Sequence, residues 1–158
     1  MSVHNPLNDE QIIKKIGCKF ILYEDMHKVN NINELLPCTL ILYQLARVGH
    51  FCCVFENSEG INFFDPLGIF VDKELLMTSI DNIHKLRHDF AYLTQLLLNQ
   101  NKPVIYNQYK LQGHKTSTCG HWCTIRMIFK YIHNDEFKQC FDGVKNRDKL
   151  IVRIYNSF

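Results

Sequence analysis

The sequence predicts an α+β domain, on three observations. Its β-prone runs gather in the first half, and its helical periodicities gather in the second. No repeat, low-complexity tract or Pro/Gly-rich linker separates them. With 158 residues and 46% hydrophobic side chains, the chain can fill one core, so residues 1–158 are expected to form a single domain.

Each element has a local reason. Residues 9–16 read as a short helix, with Asn8 placed to cap its first N–H groups. Residues 39–45 form a β-prone apolar run. Residues 50–55 and 61–64 are two more, flanking Glu56-Asn57-Ser58-Glu59-Gly60, a polar stretch with the Asn and Gly of a hairpin connection. Leu86, Phe90, Leu93 and Leu97 recur at helical spacing and predict an amphipathic helix over residues 87–99. Pro103 opens a brief strand, Val104-Ile105-Tyr106. Residues 119–133 are apolar almost all round, apart from a stripe of Arg126, Lys130 and His133, as expected of a helix in the middle of a domain. Residues 135–141 and 145–155 read as two further helices.

Composition narrows the function classes. A formal net charge of +2 makes no demand for a nucleic-acid partner, although eight histidines add positive charge at lower pH. No apolar run approaches the roughly 18 residues of a membrane span. Residues 1–10 have neither the basic nor the apolar region of a signal peptide, so export by that route is not expected. The odd count of seven cysteines then suggests free thiols in a reducing compartment, most of them core filler.

The chemistry concentrates in Gln112-Gly-His-Lys-Thr-Ser-Thr-Cys119-Gly-His-Trp-Cys123, where an amide precedes a thiol that opens an apolar helix. Upstream lie His50, in Gly49-His50-Phe51, and Asp65, in Phe64-Asp65-Pro66-Leu67-Gly68. A hairpin turn centred on Asn57-Ser58 would set His50 directly opposite Asp65 on one face, close enough for a hydrogen bond. A one-residue slip would put them on opposite faces. Asp65 would then hold the imidazole in one tautomer. At a helix N-terminus, unpaired N–H groups and the helix dipole favour a thiolate at Cys119, and an adjacent imidazolium favours it further. Gly120 leaves room for a substrate backbone. The backbone N–H groups of Cys119 and Gly120, with the Gln112 amide, would receive the oxyanion.

Each residue alone has an ordinary structural reading: a core cysteine, a strand histidine, an Asp-Pro turn, a loop glutamine. Their combination in one plausible geometry specifies a cysteine acyl-transfer site. Cys123, one helical turn after Cys119, reads as core filler. His114, Cys119, His121 and Cys123 form a dense Cys/His cluster, which gives a zinc-binding module as a non-enzymatic alternative. A helix from Cys119 would aim Cys119 and His121 in different directions, so no metal is expected.

Gly-His-Phe, Phe-Asp-Pro-Leu-Gly and Gln-x6-Cys-Gly resemble the motifs of the adenovirus-type cysteine endopeptidases, a group extending to maturation proteases of virophages and Polinton-like elements. The ubiquitin-like-protein-specific proteases share the order His, Asp, Gln, Cys. The resemblance covers residues 49–68 and 112–130 and implies a papain-like fold, with the nucleophile on a central helix against a mixed or antiparallel sheet. It implies Cys119 as nucleophile, His50 as general base, Asp65 as its orienting partner and Gln112 in the oxyanion hole. Implied substrates are polypeptides, namely capsid and core precursors, cleaved by a monomer in the virion and host cell interior. No cofactor is required, and an activating peptide or DNA is implied by resemblance alone. Phe51 stands where the family commonly has Trp, which changes the expected substrate wall formed with Gly49. The carboxylate is Asp rather than the adenovirus Glu. A ubiquitin-like-protein-specific protease and a clan-related acetyltransferase are the enzymatic alternatives, although no basic site for an acyl donor stands out.

Overall fold

The computed structural model describes residues 5–45 and 48–158. Residues 1–4, part of the stretch that reads as lacking an export signal, lie outside the described residues. Helix α1 (Asp9–Ile16) starts at a capping box, in which the Asn8 side chain accepts from the Gln11 N–H at 2.8 Å and Gln11 answers to the Asn8 N–H. It stops at Gly17, whose φ of 66° is the left-handed conformation that ends helices.

A five-stranded mixed sheet follows in the order β1 (Lys19–Leu22), β2 (Cys38–Leu45), β3 (Val48–Asn57), β4 (Gly60–Phe64) and β5 (Val104–Tyr106). The outer pairs β1–β2 and β4–β5 are parallel, and β2–β3 and β3–β4 are antiparallel. Strand β3 is buried on both faces. Phe51, Cys53 and Phe55 join one apolar cluster with α1 and the later helices. Cys52 and Val54 join a second, under the 3-10 turns and α2 (Tyr92–Leu98). No pattern in the sequence predicts strand β1; its four residues are stabilised by pairing with β2.

Two helices are shorter than their periodicity predicts. Arg87 has a φ of 56°, and the His88 ring meets the Thr78 hydroxyl at 2.5 Å; residues 83–87 form turns and residues 88–91 are irregular instead of helical. Helix α2 begins where Asp72, from a distant loop, caps it by accepting from the Thr94 N–H at 2.8 Å and its hydroxyl at 2.6 Å. The predicted helix over residues 119–133 is α3 (Cys119–Ile128). Arg126 is not on an exposed stripe: it is fully buried, stacked 4.6 Å from Phe55 and 4.7 Å from Phe137. Its guanidinium donates to the carbonyls of Phe129 and Ile132, satisfying the acceptors at the helix end and turning the chain into α4 (Asn134–Gln139). Helix α5 (Arg147–Asn156) packs on α3. Among the described residues no helix is long and apolar enough to cross a membrane.

Candidate active site

The hairpin register is not the expected one. Asn57 pairs with Gly60 and Cys53 with Phe64, so the turn is Ser58-Glu59, one residue later than predicted. The glycine that permits it has a φ of 134°, and a Cβ there would lie 2.3 Å from the Pro103 carbonyl oxygen. Because the pairing sum moves by two, face parity survives. His50 and Asp65 are therefore diagonal neighbours, and Nε2 of His50 lies 2.9 Å from Oδ1 of Asp65. Both side chains are buried.

Asp65 sits just past β4 in a turn that the sequence builds closely. Its Oδ1 accepts from the Leu67 N–H at 2.8 Å, and the Gly68 N–H donates to its carbonyl at 2.8 Å. Gly68 has a φ of 69°, and a Cβ there would lie 2.7 Å from the Tyr109 carbonyl oxygen. The Asn107 side chain holds the Asp65 backbone from the other side, accepting its N–H at 2.9 Å. The carbonyl of Pro66 accepts the N–H groups of Leu111 and Gln112 at 2.9 Å each, tying this turn to the loop before α3.

Cys119 opens α3 and is partly exposed, unlike the buried Cys18, Cys52, Cys53 and Cys123. With Nε2 of His50 engaged by Asp65, Nδ1 is the ring nitrogen left for the thiol. Burial opposes charge on His50, but hydrogen bonds to Asp65 and Cys119 outweigh it and push the imidazole up to about 10. Burial likewise opposes charge on Asp65, while the bond from His50 and its other donors hold that carboxyl below its usual range. The pair therefore favours an imidazolium beside a carboxylate. Thr118 precedes the helix without capping it; its hydroxyl donates to Asp148 instead. The first N–H groups of α3 thus receive no side-chain cap from Thr118.

Gln112 is buried on the adjoining loop. Its Nε2 donates to the Thr116 carbonyl at 2.9 Å, which fixes the amide orientation and leaves the second N–H for another acceptor. Asp148 holds that loop to α3: it accepts from the Gly113 N–H at 2.8 Å, the Thr118 hydroxyl, and Trp122 Nε1 at 3.0 Å.

The missing side chain of Gly120 and the ring of Phe51 do not take the substrate-facing places that the sequence suggests. Gly120 is buried, and a Cβ there would lie 3.1 Å from Ile12 Cδ1, 3.2 Å from Leu7 Cβ and 3.4 Å from Phe51 Cδ2. Its missing side chain makes room for α1 rather than for a substrate. Phe51 belongs to the core beneath α3, so it forms no exposed wall beside His50. Gly49 is exposed and borders a groove of about 410 Å³ with Leu42, Leu45, Val48 and Leu86. His114 is exposed, while His121 packs edge-on to Tyr155 and the buried Cys123 thiol donates to the Phe51 carbonyl, so these do not gather around Cys119 as zinc ligands.

The metal-like grouping among the described residues is another one. His50, Cys52, Asp65 and Glu74 place one ligand atom each within 4.8 Å of one another. The 2.9 Å His50–Asp65 separation is a hydrogen bond, shorter than the roughly 3.3 Å between two ligands on a tetrahedral zinc. Cys52, Glu74, Asn107 and Asp148 were missed at the sequence level. Only Cys52 had a signal, since it lies two residues from His50 on the same strand face.

No protein-family model matches the chain. It is similar to "Uncharacterized protein V9" of Sputnik virophage, with 29% identity over 133 residues, covering 80% of this chain and 76% of that protein.

Proposed function

We propose that this protein is a cysteine endopeptidase with a papain-like fold. The thiolate of Cys119 attacks the peptide carbonyl carbon while the first N–H groups of α3 and the second Gln112 N–H bind the oxyanion. As the C–N bond breaks, imidazolium His50 gives its proton to the leaving amine. A water then attacks the thioester, giving its proton to His50, and the Cys119 thiolate leaves the acid product. Asp65 holds the ring throughout and is not itself protonated.

One observation carries this reading: a partly exposed thiol at a helix N-terminus interacts with an imidazole whose Nε2 is 2.9 Å from a buried carboxylate. Similarity to a virophage protein supports a viral setting, with capsid or core precursors as substrates. Incubation with the structural polyproteins of such a virus, followed by mass spectrometry of new termini, tests it. New termini that require Cys119 are expected. Acetylated products instead of cleaved ones, or cleavage confined to ubiquitin-like C-terminal tails, would reassign the reaction.

A further inference from the structure

Behind His50 and Asp65 lies a second carboxyl group that the catalytic scheme does not use. Glu74, in the 3-10 turn Lys73–Met77, is entirely buried. Its Oε2 finds no hydrogen-bond donor among the described residues, and its Oε1 has only the Cys52 thiol at 3.7 Å. That thiol has one proton, and Asp65 Oδ2 competes for it at 3.4 Å. Oδ1 of Asp65, by contrast, takes bonds from both Leu67 and His50. An ionised Glu74 would be a second buried anion beside Asp65, with no cation of its own and no strong donor. A proton resolves this. The neutral acid then has an O–H to donate, and the Asp65 carboxylate stands within the same 4.8 Å grouping to receive it.

We propose that Glu74 is a positioning residue of the candidate active site: it holds a proton, donates it in a hydrogen bond to Asp65, and so fixes the carboxylate that orients His50. The resulting order is Cys119, His50, Asp65, Glu74, with the single negative charge of the carboxyl pair on the member next to the imidazole. Burial and the neighbouring Asp65 act the same way, pushing the Glu74 carboxyl up to about 10. An amide N–H can replace the acid O–H, whereas an alkyl group cannot. The inference rests on the cysteine-hydrolase reading of Cys119 and His50.

The test uses iodoacetamide as the probe, with alkylation of Cys119 followed by peptide mass spectrometry at pH 7 and exposed Cys140 as internal standard. Glu74→Leu is expected to slow Cys119 alkylation about tenfold relative to Cys140, and Glu74→Gln to restore it to within about threefold of wild type. Infrared spectra of protein labelled with ¹³C-carboxyl glutamate should show a protonated-acid band at pH 7 that Glu74→Gln removes. Unchanged reactivity in Glu74→Leu, equal damage in both variants, or absence of the band would each overturn the proposal. So would stoichiometric zinc in the purified protein, because an ion would then replace the proton. The infrared comparison decides the matter if Glu74→Leu does not fold. If wild-type Cys119 shows no His50-dependent enhancement, the catalytic reading itself fails; if it does and Glu74→Leu preserves it, only the role of Glu74 fails.

Discussion

Removing Asp148 should loosen the junction between α5, the start of α3 and the loop that carries Gln112. In Asp148→Ala three donors lose their acceptor: the Thr118 hydroxyl, Trp122 Nε1 and the Gly113 N–H. Thr118 and Trp122 are both fully buried, so water cannot replace the lost partner there without rearrangement. Each orphaned buried donor costs about 1–3 kcal/mol, whereas the partly exposed Gly113 N–H can be hydrated at little cost. The expected destabilisation is therefore about 4 kcal/mol, which for a chain of this length lowers Tm by roughly 12 °C. Asp148→Asn keeps an oxygen for Thr118 and Trp122 but turns an NH₂ toward the Gly113 N–H, so it should cost only about 1–2 kcal/mol. Thermal and urea unfolding of the three proteins measures both values. A Tm for Asp148→Ala within about 2 °C of wild type would refute the assignment of this carboxylate as the shared acceptor.

Other outcomes follow from the same geometry. Gln112→Ala should lower kcat by about 10²–10³-fold with little change in KM, since its free N–H meets charge that develops only during reaction; a purely KM effect would place Gln112 in substrate binding instead. His50 is raised in the folded protein from 6.5 to about 10, so its contribution to stability is fully present below pH 6.5 and is lost as pH rises through 10. The stability difference between wild type and His50→Ala, measured by urea unfolding across that window, should shrink steadily with pH. A flat difference would mean that the imidazole gains no proton affinity on folding.

Much of the fold is legible because local chemistry and tertiary packing agree. Asn8 and Gln11 announce the start of α1, and Gly17 its end. Strands β2 to β5 are read correctly in place, and Asp65 and His50 meet even though the turn falls one residue late, because a shift of two in the pairing sum leaves the pleat unchanged. Failures arise where a distant group overrides local pattern. Helix α2 is set by Asp72, more than a dozen residues upstream of its first turn, and not by the periodicity that begins at Leu86. Arg126 looks like a surface residue by charge, yet stacking between Phe55 and Phe137 and two carbonyl acceptors hold it inside. Gly120 reads as substrate space because it adjoins Cys119, and Phe51 as a substrate wall because of the family resemblance, but both pack into the core beside α1, which only the three-dimensional packing reveals. Glu74 and Asp148 are ordinary acids in sequence; their partners come from other elements.

Alkylation of Cys119 by iodoacetamide at neutral pH, compared with exposed Cys140 in wild type and in His50→Ala, asks whether the thiol and imidazole act as one unit. A Cys119 thiolate paired with imidazolium His50 predicts alkylation roughly tenfold or more faster than at Cys140, and loss of that advantage when His50 is removed. Equal reactivity of the two thiols in wild type, or an advantage at Cys119 that survives His50→Ala, would contradict it.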